Sequence, residues 1–486
     1  MGRPRAPHRR RLGPAAAALA GLAAALLGGC TRHGQGATGP PPPDSSATAA
    51  FLDTLEVRTF HYFWDLANPV SGLVPDRWPT PSFSSIAAVG FGLTALPIGV
   101  ERGWVSPADA AQRALTTLKF FWAAPQGNAA TGVTGYHGFF YHFLDMQTGL
   151  RYQTVELSTI DTALLLAGAL TCQSFFTGSD SVEAAVRAYA DSLYRAADWR
   201  WASPRPPAVA MGWTPESGFL PNDWIGYNEA MILYILALGS PTHPADSAAW
   251  TAWTGGYQWG TFEGQSYVQF GPLFGFEYSQ VWIDFRGIQD AYMRSRGMDY
   301  FENSRRAAYA QRAYAVQNPS GWSGYGANLW GLTASDGPGD FSLTVGGANR
   351  QFHAYWARGA SALSIQDDGT IAPTAAGASA PFAPQIALPE LVAMRRAYGD
   401  TLFGQYGFFD ALNPTLTGGA PATQGRVVPG LGWFDTDYLG IDEGALLAMI
   451  ENYRTGLIWK LLRGNPYIIA GLRRAGFTGG WLASAP

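Results

Sequence analysis

Four acidic positions stand where an apolar segment begins. Glu229 precedes MILYILALG, Asp161 heads TALLLAGAL with Glu156 five residues upstream, and Asp442, followed by Glu443, opens the run after GWFDTDYLG. An acid in the first turn of a helix gains about 0.3–1 kcal/mol from the macrodipole, so one instance alone requires no chemical role. The pattern recurs, however, and each acid leads into a segment apolar nearly all round, as in a helix buried on both sides. If such helices lie parallel, acids far apart in sequence meet at one end. Converging carboxylates suit acetal cleavage, in which a protonated acid sits beside the leaving oxygen while an ionised one activates water or attacks carbon.

Aromatic residues point the same way. They make up 14% of the chain, more than a core usually demands, and sugar rings stack their C–H faces on such rings. Trp213, Trp224, Trp282, Trp322, Tyr325 and Trp330 fall in segments expected to be loops, and Tyr227 stands two residues before Glu229. Asp284 and Arg286 in WIDFRG could bind sugar hydroxyls or pair with each other.

Other chemistries fit poorly. His137 and His142 are five apart, and neither HExxH nor HxH occurs, so a histidine-based metal site is not expected. The stretch DTDYLGIDEGAL begins like a calcium loop, but its fifth and twelfth positions are Leu439 and Leu446, which cannot chelate through their side chains. Gly90-Phe91-Gly92 lies inside an apolar helix signal and not after a strand, which excludes a dinucleotide loop. GWSGYG does not satisfy the nucleophile-elbow pattern.

The elements that must position these acids read as helices of two kinds. Ser106-Pro107-Ala108-Asp109 gives an N-cap with proline at the first helical position, and Ala110 to Trp122 continues with one wet face. Ser181 to Trp199 and Tyr300 to Val316 are similar. The apolar kind starts at Ser85, Ser158, Asn228 and Gly440. With no sustained strand alternation, about ten to twelve helices in two interleaved classes predict an all-α fold: a toroid of helical hairpins with the apolar helices inside. An extended α-solenoid is the alternative, but no repeat of fixed period is present.

The N-terminus reads as an address. Arg3, Arg5, Arg9, Arg10 and Arg11 precede an apolar run from Ala15 to Leu27, which ends in Leu27-Gly28-Gly29-Cys30. This predicts a signal peptide over 1–29, a lipid on Cys30 and a Pro/Gly/Ser tether over 30–48, leaving 49–486 as one domain. LGGC resembles the lipobox of bacterial lipoproteins, and Thr31 after it resembles those sorted to an outer membrane. The expected place is therefore the periplasm, with the lipid as the sole membrane anchor. Cleavage removes five arginines and no acid, taking the formal charge from −4 to −9, a poor fit to nucleic acid. Only 14% of residues are charged, against about 25% in an average soluble domain, so a large interior is expected. Cys172 is left without a cysteine partner and reads as a buried thiol. The mature protein is expected to be a monomer.

Several long stretches then become specific. ELSTIDTALLLAG, GYNEAMILYILALGSPTHP, VWIDFRGIQDAYMR, DYFENSRRA, DDGTIAPTAA and DYLGIDEGALLAMIENYR resemble, in order, the bacterial glycoamylase-like family, which includes endo-β-1,2-glucanases. The likeness runs from about residue 50 to the C-terminus. It implies an (α/α)6 barrel, hydrolysis of β-1,2-glucan with inversion, and no metal or other cofactor. It gives Glu229 the general-acid role and Asp442 the base, with Asp161 and Glu156 as cleft acids. Glu443 departs from the glutamine expected after Asp442 and could compete as base. The family also includes sophorose-releasing and transglycosylating enzymes, and a glycan-capturing lipoprotein without activity is a reading of a different class.

Overall fold

The computed structural model describes residues 45–485. The expected signal peptide, Cys30 and most of the tether lie outside the described residues. The last four tether positions do not, and they already form the first turn of a helix.

Two helix classes are present. The longer amphipathic helices are α1 (Ser45–Leu66), α3 (Pro107–Ala123), α5 (Ser181–Ala196), α10 (Tyr300–Gln317) and α12 (Pro384–Tyr398). The buried ones are α2 (Ile86–Glu101), α4 (Thr159–Phe175), α6 (Met231–Gly239), α8 (Phe274–Trp282), α11 (Pro373–Ala378) and α13 (Gly440–Arg454). Short helices α7 (Ala249–Gly255), α9 (Ala291–Arg296), α14 (Leu457–Leu462) and α15 (Pro466–Arg474) complete the set among the described residues. The starts follow local chemistry: Ser106 accepts from the Asp109 N–H and precedes Pro107, while Ser158 accepts from the Asp161 N–H.

The buried helices pack in succession. α2 lies against α4, α4 against α6, α6 against α8, α8 against α13 and α13 back against α2, with α11 also on α13. Their apolar residues form one large core. The α2–α4 crossing is close enough to exclude side chains: a Cβ on Gly90 would fall 2.4 Å from the Leu164 carbonyl oxygen, and one on Gly168 would fall 2.1 Å from that of Gly90. The glycine pair of Gly90-Phe91-Gly92 thus serves helix packing. Cys172 is buried in the same region, its thiol 3.2 Å from the Leu93 carbonyl oxygen.

Strands correct the all-α expectation. They are two to five residues long and lie in the connections. The largest sheet joins Gly135–Tyr136, Phe139–Tyr141, Leu157–Ser158, Gly212–Thr214 and Gly218–Phe219 in antiparallel order. Segments of two residues carry no readable period, which is why the sequence showed only loops there. Their placement matters, because Ser84–Ser85, Leu157–Ser158 and Tyr438–Leu439 run directly into α2, α4 and α13.

Candidate active site

Strand pairing stitches the helix starts together. Arg77 pairs with Leu439 at the head of α13, Ser85 with Phe143 at the head of α2, and Tyr141 with Leu157 at the head of α4. His142 therefore sits between two of these starts. Its N–H donates to the Glu156 carbonyl at 2.9 Å, and its own carbonyl accepts from Ile86 at 3.2 Å.

The His142 ring bridges two of the expected acids, with Nδ1 2.8 Å from Glu156 Oε1 and Nε2 3.5 Å from Asp161 Oδ2. Burial opposes its charge, but the Asp161 carboxylate and the Glu156 hydrogen bond prevail and push its pKa up to about 9. The imidazolium in turn holds Glu156 below its usual range against the effect of burial. Asp161 is the third residue of α4 and also takes the Ser158 hydroxyl, so part of its role is capping.

Glu229 lies in the turn just before α6, not within the helix. Ser279 of α8 clamps that turn: its hydroxyl donates to the Glu229 carbonyl at 2.6 Å and accepts from the Ile232 N–H at 3.0 Å. Asn228 Oδ1 accepts the Ala230 N–H from the other side. Burial pushes the Glu229 carboxyl up to about 7, and the Asp161 charge adds to the shift. A carboxyl so placed is protonated over much of the range where sugars are handled.

Asp442, the third residue of α13, is buried, with Oδ1 3.4 Å from the Tyr278 hydroxyl. Tyr278 is hydrogen-bonded to Asp442, and the charge of Glu229 is only a minor contribution beside burial and Asp442 in raising its hydroxyl's pKa. Burial and the neighbouring Asp410 raise Asp442 well above the carboxylate range, and Glu443 is raised mainly by burial. Asp410, Asp442 and Glu443 line a small recess with Thr374, Phe408 and Phe409.

Several site residues were not found from the sequence. Arg77 donates to Asp336 at 2.7 Å and to Asp76 at 3.3 Å, and lies 3.9 Å from Asp437. The Tyr355 ring is exposed, while its hydroxyl end is desolvated and lies in the field of Asp442, Asp410, Asp76 and Asp336, which together raise its pKa. His142 was weighed only as a metal ligand with His137. No local spacing links it to Asp161, nineteen positions on; only the strand pairing does.

The aromatic and hydroxyl-binding expectations divide. Trp213 is half-buried on the strand paired with Leu157, its ring 5.2 Å from Tyr136, which leaves it beside the strand that leads into α4. Trp282 is instead the last residue of α8, fully buried, and donates to Thr94 at 3.0 Å. Trp330 is fully buried too. Trp224 is buried and donates to Thr159 at 3.0 Å, while Tyr227 is buried among Trp253, Tyr257, Phe276 and Tyr300. These four rings belong to the core and offer little or no face to a ligand. Tyr325 and Trp322 both donate to Asp367, at 2.6 and 2.8 Å, and so belong to a separate hub. Asp284 is buried beyond the C-terminal end of α8, where it takes Arg286 at 2.7 and 2.8 Å and also Arg463. Of the two options open for Asp284 and Arg286, pairing is the one realised.

Residues 221–466 match the family model Glycoamylase, whose description is a glucoamylase. A curated relative from Parabacteroides distasonis, an exo β-1,2-glucooligosaccharide sophorohydrolase acting at the non-reducing end, is 28% identical over 87% of this chain. The chain spans 57% of that relative's length. Among solved structures, a glucoamylase-family protein from Bacteroides uniformis ATCC 8492 is 32% identical with a TM-score of 0.75, covering 89% of this chain and 98% of its own. An endo-β-1,2-glucanase from Chitinophaga pinensis, solved with sophorotriose and glucose, is 28% identical with a TM-score of 0.75 and covers 89% and 99%.

Proposed function

The chain belongs to the glycoamylase-like family, and on that basis we propose that it is a glycoside hydrolase cleaving β-1,2-glucan, with Glu229 as general acid and Asp442 as general base. The observation that carries the reading is the Glu229 carboxyl, held in a turn clamped by Ser279 and pushed up to about 7 by burial, with the Asp161 charge adding to the shift. Acetal cleavage requires a protonated acid and an ionised second carboxylate. Glu229 is raised enough to hold the proton, and Asp442, itself raised by burial and Asp410, must lose its proton before it acts as base. Five buried helices close a ring and α11 packs on α13, which supports an (α/α)6 barrel with α11 as the sixth inner helix.

In this mechanism Glu229 gives its proton to the glycosidic oxygen as the bond breaks. Asp442 accepts a proton from water, directly or through a substrate hydroxyl, and attack from the opposite face inverts the anomeric carbon. Ser279 and Asn228 hold the acid's turn, so little orientation is lost when substrate arrives. Exposed Tyr355 and half-buried Trp213 offer the rings on which sugars stack.

Internal cleavage is the proposed mode. Incubation with linear β-1,2-glucan tests it: a ladder of early oligosaccharides supports endo action, sophorose alone assigns the exo mode of the Parabacteroides distasonis relative, and binding without turnover removes the enzymatic reading. We further propose that the protein is an exported, periplasmic lipoprotein, lipidated on Cys30 and anchored to the outer membrane.

A further inference from the structure

The calcium-loop reading of DTDYLGIDEGAL fails on local spacing, yet its first acid has distant companions. Leu412 pairs with Phe434, and the Asp435 N–H donates to the Ala411 carbonyl at 2.9 Å, which brings Asp410 and Asp435 to the same end of one strand pair. Asp336 joins them, its own N–H donating to Asp410 Oδ2 at 2.7 Å. Each of the three offers a carboxylate oxygen, and these oxygens all lie within 4.8 Å of one another. Three oxygens about 4.5 Å apart or closer can share one ion at about 2.6 Å or less, the calcium range, so a set within this bound needs little or no adjustment to do so.

A second observation concerns what those oxygens lack. Asp336, Asp410 and Asp435 are 0%, 5% and 1% exposed. One oxygen of each is satisfied: Asp336 Oδ2 by Arg77, Asp410 Oδ2 by the Asp336 N–H, and Asp435 Oδ1 by the Thr436 N–H at 2.7 Å. Asp336 Oδ1 and Asp435 Oδ2 are buried with no hydrogen-bond partner, and the second oxygen of Asp410 is buried with no donor beyond the Asp442 carboxyl beside it. Buried acceptors without donors are costly unless a positive centre lies among them. Arg77 does not fill that role, because it is shared with Asp76 and Asp437.

We infer that Asp336, Asp410 and Asp435 form a binding site for one hard divalent cation, calcium fitting better than magnesium. Oxygen-only donors exclude a soft metal, and three carboxylates on irregular backbone suit calcium's flexible coordination better than the strict octahedron of magnesium. The site ties the loop at 336 to the strand pair beside Asp442, and it goes beyond the glycosidase reading because its readout is ion binding.

The test uses the full chain stripped with chelator and titrated with terbium, excited through tryptophan, since Trp433 lies two residues before Asp435. The expected result is saturable emission at one ion per chain, displaced by calcium, with calcium alone raising Tm by a few degrees. Asp435→Asn should weaken binding about 10-fold or more. Absence of both emission and Tm shift in the wild type would overturn the site, as would equal affinity in folded Asp435→Asn. If that variant does not fold, the wild-type titration decides.

Discussion

The Tyr278 hydroxyl stands 3.4 Å from Asp442 Oδ1, on a ring that also feels the charge of Glu229. This phenol lies on α8 and Asp442 at the start of α13, so the contact joins those two helices, while Glu229 in the turn before α6 acts on it only through its charge. Tyr278→Phe removes the donor and keeps the ring, which packs on Phe91 and Phe274. The expected outcome is a fall in kcat of about 10-fold with Tm nearly unchanged, since the loss falls on orientation of the base. Steady-state kinetics on β-1,2-glucan beside a melting curve checks it.

His142 links stability to pH in a definite direction. Its pKa is raised from 6.5 to about 9, so the bridge to Asp161 and Glu156 contributes fully below pH 6.5 and is lost as pH rises through about 9. His142→Gln should cost about 1–3 kcal/mol at pH 6 and much less at pH 10, discounted for partial exposure. Urea denaturation of both proteins at the two pH values measures the difference. Equal losses would remove the imidazolium from the account.

Asp284 should behave as a structural residue. Asp284→Asn weakens its contacts with Arg286 and Arg463, at an expected cost of about 1–3 kcal/mol. KM for glucan should stay within about twofold in the folded variant, because uniform binding is not touched. A large rise in KM would restore the hydroxyl-binding role.

What could be read from the sequence was mostly local. Ser106-Pro107 and Ser158 announce helix starts because capping involves neighbours three residues apart. The acids at α4 and α13 were visible for the same reason, and the runs behind them are apolar all round because both sides are covered. The bridge from Glu156 through His142 to Asp161 was not visible, since it depends on two-residue strands that carry no pattern. Trp282 shows the converse difficulty: the aromatic that opens WIDFRG resembles a rim residue until the last turn of α8 places it in the core. Asp336 and Asp410 joined the site only through pairing across more than seventy positions.

The proposed lipid anchor is tested separately. Cys30→Ser should move the protein from the membrane fraction to the soluble fraction of the periplasm while activity on soluble glucan is retained. Fractionation followed by an activity assay reads both, and unchanged membrane retention would count against the anchor.

The central claim is that Glu229 is the proton donor, and the most direct measurement is turnover of β-1,2-glucan by folded Glu229→Gln across a pH series. With the acid pushed up to about 7, wild-type kcat/KM should fall on the alkaline side with a limb near pH 7. The amide cannot donate a catalytic proton, so the variant should lose about 10²-fold or more in kcat, keep its affinity for glucan and lose that limb. Near wild-type turnover with the limb intact would contradict the account and leave Glu229 as an acid that only complements the start of a helix.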